Sequence, residues 1–157
     1  MNGYRIAPKK HNNIHNALSG IGGLHAEGRW HFTGAPIVYL ASSRSLAMLE
    51  RLVNDSTDIL SNQLSVTTIH ISDEIKIKRL VASELPIGWD EHPYIPHTQQ
   101  FGTKWLSSMD AAVLQVPSSL CQEEYNYIIN PMHEDSSKIK CIDCKDFFYA
   151  KRLSSKL

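Results

Sequence analysis

Two apolar runs, AAVLQVPS (111–118) and EYNYIINP (124–131), each stop at a proline, Pro117 and Pro131. No other feature narrows the fold as much. Proline has no amide hydrogen and cannot continue a strand ladder, so each run reads as a short strand with a defined end. The first is apolar throughout, as in a buried strand, and the second alternates. Residues 2–7 (NGYRIA), 37–41 (IVYLA) and the β-branched 63–72 (QLSVTTIHIS) read as further strands. Residues 138–153 (KIKCIDCKDFFYAKRL) give one or two closing strands. Helices are expected at 43–54 and at 98–110, where Gly102 is a weak point. The Asn-, His- and Gly-rich stretch 8–36 and the Pro/Gly-rich stretch 84–97 read as loops. Loops of the first one's length in a compact domain are functional or mobile. Strands interrupted by one or two helices predict an α+β fold, a single compact domain over 1–157 with a mixed or antiparallel sheet core.

With 157 residues the chain can bury a core without staples, since folding at that size removes about 68–70% of the extended-chain surface from water. Sixteen Lys+Arg balance sixteen Asp+Glu. Zero net charge argues against nucleic-acid binding, which needs a basic surface, but allows a local cationic pocket. Three cysteines, Cys121, Cys141 and Cys144, cannot all pair. The start, MNGYRIAPKKHNN, has no apolar signal core. No apolar run approaches the ~20 residues of a membrane span. A reducing, cytoplasmic setting without membrane association is expected.

The chemistry-bearing candidates are few. With Leu46 at zero and about 100° per residue, Leu49, Leu52 and Val53 fall near 300°, 240° and 340°, one apolar stripe. Arg51 and Arg44 fall at about 140° and 160°, on the expected solvated face. Glu50, at about 40°, sits at the edge of the stripe, where a carboxylate is costly unless something uses it. Arg29 stands in a Gly28-Arg29-Trp30 stretch just before the 37–41 strand. Its ordinary reading is a surface arginine stacked on Trp30. Tyr39 reads ordinarily as a core tyrosine, and Ser118 as a turn or cap. GIGGLH lacks the third glycine of a dinucleotide turn. There is no P-loop and no nucleophile elbow. One CxxC, Cys141 to Cys144, with Cys121 and His133, is too little for an expected zinc site. His11 and His15 lie in an Asn-rich stretch and read as solvated.

Taken in order, the motifs say more. YRI, SGIGGLHAEGRWHFTGAPIVYLASSRSLAMLE, LPIGW, TQQFGTKWL, VPSSL, EYNYIINPMH and FFYAKRL resemble the RES domain, a family named for Arg, Glu and Ser residues and found as the toxin of toxin–antitoxin pairs. The resemblance spans nearly the whole chain. By motif it carries Arg29, Tyr39, Glu50 and Ser118 onto the family's catalytic set, with Asn126 as a further member. His31 departs from the Asn often found after GRW, and Ser42 from a commoner acidic residue.

The resemblance implies a fold similar to bacterial-toxin ADP-ribosyltransferases. It implies NAD as substrate, cleaved at the nicotinamide–ribose bond by water or phosphate, or used to ADP-ribosylate protein. No metal is implied. Arg29, Trp30, Tyr39, Ser118 and Asn126 would bind NAD, with Arg29 on the pyrophosphate and Glu50 facing the ribose. An Xre-type helical, DNA-binding antitoxin is the implied partner, phosphate a candidate acceptor, and a homodimer is open. A non-enzymatic binding module is the alternative of a different class.

Overall fold

The computed structural model describes residues 1–54 and 63–154. The expected domain over 1–157 thus includes 55–62 and 155–157, which lie outside the described residues. Seven strands form one sheet among the described residues: β1 (Asn2–Pro8), β2 (Val38–Ala41), β3 (Leu64–Ile71), β4 (Ile77–Arg79), β5 (Val113–Pro117), β6 (Tyr125–Ile129) and β7 (Ile139–Phe147). Their order is β4-β5-β6-β2-β1-β3-β7. Every pairing is antiparallel except β4 with β5, so the α+β fold carries a mixed sheet.

The proline-stopped strands are the middle of the β5-β6-β2 side. With α1 the short helix Gly22–His25 and α2 the helix Arg44–Asn54, Leu114, Val116 and Ile128 face a cluster with Trp105 and Leu106 of helix α3 (Pro96–Ser108). Val113, Tyr127 and Ile129 face the opposite cluster, with Val38, Leu40, Ile69 and Ile71. Burial on both faces explains the near-continuous apolar run of β5. A third cluster seats helix α2 (Arg44–Asn54) on β1 and β3 through Leu46, Ala47, Ile6 and Val66. Ser43 caps α2, its Oγ accepting from the Leu46 amide at 3.0 Å.

The structure corrects several expectations. Val53 is 57% exposed, so the buried stripe of α2 ends before it. α3 starts earlier than expected because Pro96 opens it, a position where the missing amide costs nothing. Of the one or two closing strands expected, one forms, β7. After β7 the chain turns in to bury Tyr149, edge-on to Phe147 at 5.0 Å, and a short helix follows, Lys151–Ser154. The three-residue β4 carries too little pattern to be read from sequence. The long 8–36 segment is tied down by Asn12, fully buried, whose Nδ2 donates to Ser65 O at 2.8 Å and Arg5 O at 3.3 Å. Among the described residues, no helix is long and apolar enough to cross a membrane.

Candidate active site

The ends of β1 and β2, one side of α2, the 22–31 segment and the 90–94 loop enclose a cleft of about 680 Å³. That lies within the usual range for small-molecule sites. Arg29, Trp30, Tyr39, Glu50 and Asn126 all line it. Five of the six expected site residues, drawn from four separate segments, therefore share one cavity.

Arg29 sits at the tip of a tight turn closed by Gly28 and His31, whose backbones exchange bonds at 3.1 and 3.3 Å. Its Nη1 donates to Trp89 O at 2.6 Å and Glu91 O at 2.8 Å. Its guanidinium lies 5.1 Å from the centre of the Tyr94 ring, so the expected stack on Trp30 is replaced by one on Tyr94. Burial lowers its pKa against the opposing pull of Tyr94, Glu50, Asp90 and Tyr39. Trp30 instead points inward, 3% exposed, edge-on to Phe101 at 6.5 Å.

α3 fixes this turn from behind. A Cβ at Gly102 would collide with the Trp30 carbonyl, so the glycine expected to weaken the helix is where the turn packs against it. Gly28 has a similar use. A Cβ there would fall 2.9 Å from the Tyr39 hydroxyl and 3.1 Å from the His31 ring.

Tyr39, on β2, accepts from the Trp30 amide at 3.2 Å and lies 2.8 Å from His31 Nδ1. Burial drives its pKa far above the ordinary phenol value, so it stays neutral. Glu50 projects from α2, and its Oε1 accepts from Asn126 Nδ2 of β6 at 2.6 Å. The Asn126 Oδ1 is buried with no partner.

Ser118 departs from the set. It is buried, it does not line the cleft, and its Oγ accepts from the amides of Leu120 and Cys121 at 3.1 and 3.2 Å. Its neighbours Pro117, Ser119 and Leu120 form the wall instead. The hydroxyl thus shapes the turn that lines the site, the ordinary role for serine after a strand.

Other cleft residues went unread in the sequence. Arg51, expected on the solvated face, lines the cavity, as do Arg5, Asp90, His92 and Tyr94. Arg5 is held by His11 O, Asn12 Oδ1 and Ala17 O, at 3.1 to 3.5 Å. Burial, then Arg51, lowers its pKa. A Tyr-Arg pair in a short N-terminal strand gives no periodic sign of this role. Ser42 and Ser43 both donate to Glu124 Oε2, at 3.3 and 2.7 Å, so a carboxylate just before the neighbouring strand β6 reaches the start of α2. The three cysteines are free thiols, and among the described residues no group of three His, Cys, Asp or Glu is placed to hold a metal.

A family model described as the RES domain matches residues 3–149. The "Prs ADP-ribosylating toxin" of Sphingobium sp. (strain YBL2) is 37% identical over 155 residues, 98% of this chain and 96% of that protein. A "Toxin Res" of Pseudomonas putida is 36% identical over 138 residues, 87% and 92% of the two chains. The fold is similar to that of a chain in the crystal structure of the M. tuberculosis MbcT–MbcA toxin–antitoxin complex, with a TM-score of 0.75 at 18% identity, covering 99% of this chain and 87% of that one.

Proposed function

The chain belongs to the RES domain family, and on that premise we propose that it is the toxin of a toxin–antitoxin pair that consumes NAD at the nicotinamide–ribose bond. The observation that carries this reading is the convergence of Arg29, Tyr39, Glu50 and Asn126 on one cleft of about 680 Å³.

Breaking the bond expels neutral nicotinamide and leaves positive charge on the ribose. The protein must put negative charge beside that ribose and hold the substrate in line. Glu50 supplies the charge. Asn126 holds one carboxylate oxygen at 2.6 Å, which fixes the carboxylate and leaves the other oxygen for ribose hydroxyls. Arg29 supplies a planar cation for the pyrophosphate. Its Nη1 is already committed to the 89–91 backbone, so it joins the bound dinucleotide to that loop. Tyr39 and Trp30 wall the nicotinamide end, and Ser118 shapes the 117–120 wall.

The electrophilic ribose is then captured by water or phosphate. A protein acceptor is the second reading, favoured by the name of the 37% identical Sphingobium relative. The partner is a helical, DNA-binding antitoxin of the Xre type that covers the cleft. Val53 and Leu120 on its walls, with Ile21 and Leu24 flanking the lining Gly22 and Gly23, are exposed apolar residues suited to such a cover. Incubation of the purified chain with adenine-labelled NAD, with and without phosphate and with and without added cell protein, followed by chromatography, tests the proposal. Free nicotinamide with ADP-ribose or its 1″-phosphate supports it. Label retained on added cell protein favours the second reading, and unchanged NAD in every arm overturns both.

A further inference from the structure

We propose that His31 is a positioning residue: its Nδ1 accepts a hydrogen bond from the Tyr39 hydroxyl, which fixes the phenol oxygen as an acceptor for the Trp30 amide and thereby sets the turn that carries Arg29. The inference rests on the NAD-consuming reading of the cleft.

The direction of each bond follows from one fixed end. His31 Nε2 lies 3.0 Å from the Ala26 carbonyl oxygen, which can only accept. Nε2 therefore carries the hydrogen. In a neutral imidazole Nδ1 is then an acceptor. At 2.8 Å from it, the Tyr39 hydroxyl must donate. The phenol oxygen in turn accepts from the Trp30 amide at 3.2 Å. A one-way chain results, from Trp30 through Tyr39 and His31 to Ala26.

The surroundings favour this neutral arrangement. His31 is 3% exposed, and burial disfavours a charged ring. Glu27 is the carboxylate that acts against that burial, while Arg29 and Tyr94 act on the phenol. The packing is close on both sides, since a Cβ at Gly23 would lie 3.2 Å from His31 Nε2 and one at Gly28 would lie 3.2 Å from Nδ1. Tyr39 consequently offers its ring, not its hydroxyl proton, to a ligand. Its hydroxyl acts one residue away from Arg29, through the amide of Trp30.

Nitrogen NMR on the labelled free chain reads the tautomer without any turnover. The expected result near pH 7.5 is a protonated Nε2, a bare Nδ1, and a Trp30 amide resonance that moves upfield in Tyr39→Phe. In kinetics, His31→Leu should raise the KM for NAD roughly tenfold, the weight of one hydrogen bond, with a far smaller change in kcat. Tyr39→Phe should raise KM by the same factor, and the double variant should be no worse than either. His31→Asn puts an amide oxygen near the place of Nδ1 and should keep KM near that of the parent. His31→Gln puts its amide near Nε2 and should not. A protonated Nδ1, a Trp30 amide unmoved by Tyr39→Phe, equal defects in the Asn and Gln variants, or multiplicative defects in the double variant would each overturn the assignment. If the parent leaves NAD intact, the NAD reading fails, and the two resonances still decide the hydrogen-bond chain.

Discussion

Asn126 Nδ2 donates to Glu50 Oε1 at 2.6 Å, joining β6 to α2 across the floor of the cleft. The bond fixes a carboxylate that sequence periodicity leaves at the edge of an apolar stripe. It also gives one oxygen of that half-buried carboxylate a donor.

Glu50→Ala should lower kcat by roughly 10²–10³, the equivalent of ~3–4 kcal/mol of transition-state stabilisation, with little change in NAD binding. Fold should survive, because Leu46 and Ala47 hold α2. NAD turnover and thermal unfolding on one sample check this. A stability collapse large enough to explain the lost activity would sink the catalytic assignment.

Gly102→Ala should destabilise the chain although alanine is the better helix former. The added methyl meets the Trp30 carbonyl, and overpacking of this kind costs about 1–3 kcal/mol, against a propensity gain of about 1 kcal/mol. The net effect is a Tm lower by a few degrees, together with a weaker NAD interaction because the Arg29 turn is displaced. An unchanged or raised Tm would show that the turn yields freely.

How legible this was depended on periodicity. Strands 63–72 and 111–118 were readable as β-branched and apolar runs, because they are buried on both faces, and helix 43–54 was readable from its repeating apolar stripe. The motif order named Arg29, Tyr39, Glu50 and Asn126, which the fold brings to one cleft. Ser118 and Gly102 were readable only by type, and type alone does not say which neighbour a hydroxyl or a missing Cβ meets. Arg5 and Arg51 were illegible for a related reason. A helical wheel separates core from solvent, while α2 has a third face, turned to the cleft, that only the tertiary arrangement creates. The Arg29 clamp on Trp89 and Glu91 joins residues about sixty positions apart through backbone carbonyls, which carry no sequence signal.

Acid should weaken the fold in two windows. Burial, first, holds His31 below its ordinary value of 6.5, against Ala26 and Glu27. The unfolded chain therefore binds this proton more readily. The stabilisation is complete above about pH 6.5 and is lost as pH falls through the lower folded value. Asp110, Glu124 and Asp135, held low chiefly by Lys76, Ser43 and Lys138, add their loss only below about pH 4.5. Denaturant unfolding at pH 7.5 and 5.5 should show a drop in the parent and a smaller drop in His31→Asn. Equal drops would assign the upper window elsewhere.

Arg29→Ala should act on binding and on a loop at once. The guanidinium is assigned to the NAD pyrophosphate, where each charge-assisted bond contributes about 1.5–3 kcal/mol, so KM should rise by at least tenfold. The same side chain holds the 89–91 backbone through Trp89 O and Glu91 O and stacks on Tyr94. Its loss should therefore expose the 86–94 segment, which protease cleavage of the free chain can detect. Arg29→Lys separates the two roles. A lysine keeps the charge but not the planar fork, so it should recover part of the KM and little of the loop protection. Antitoxin binding should persist in both variants, since the exposed apolar rim residues are unchanged. A parent-like KM in Arg29→Ala, with the loop newly cleaved, would leave the arginine a structural clamp and remove it from substrate binding.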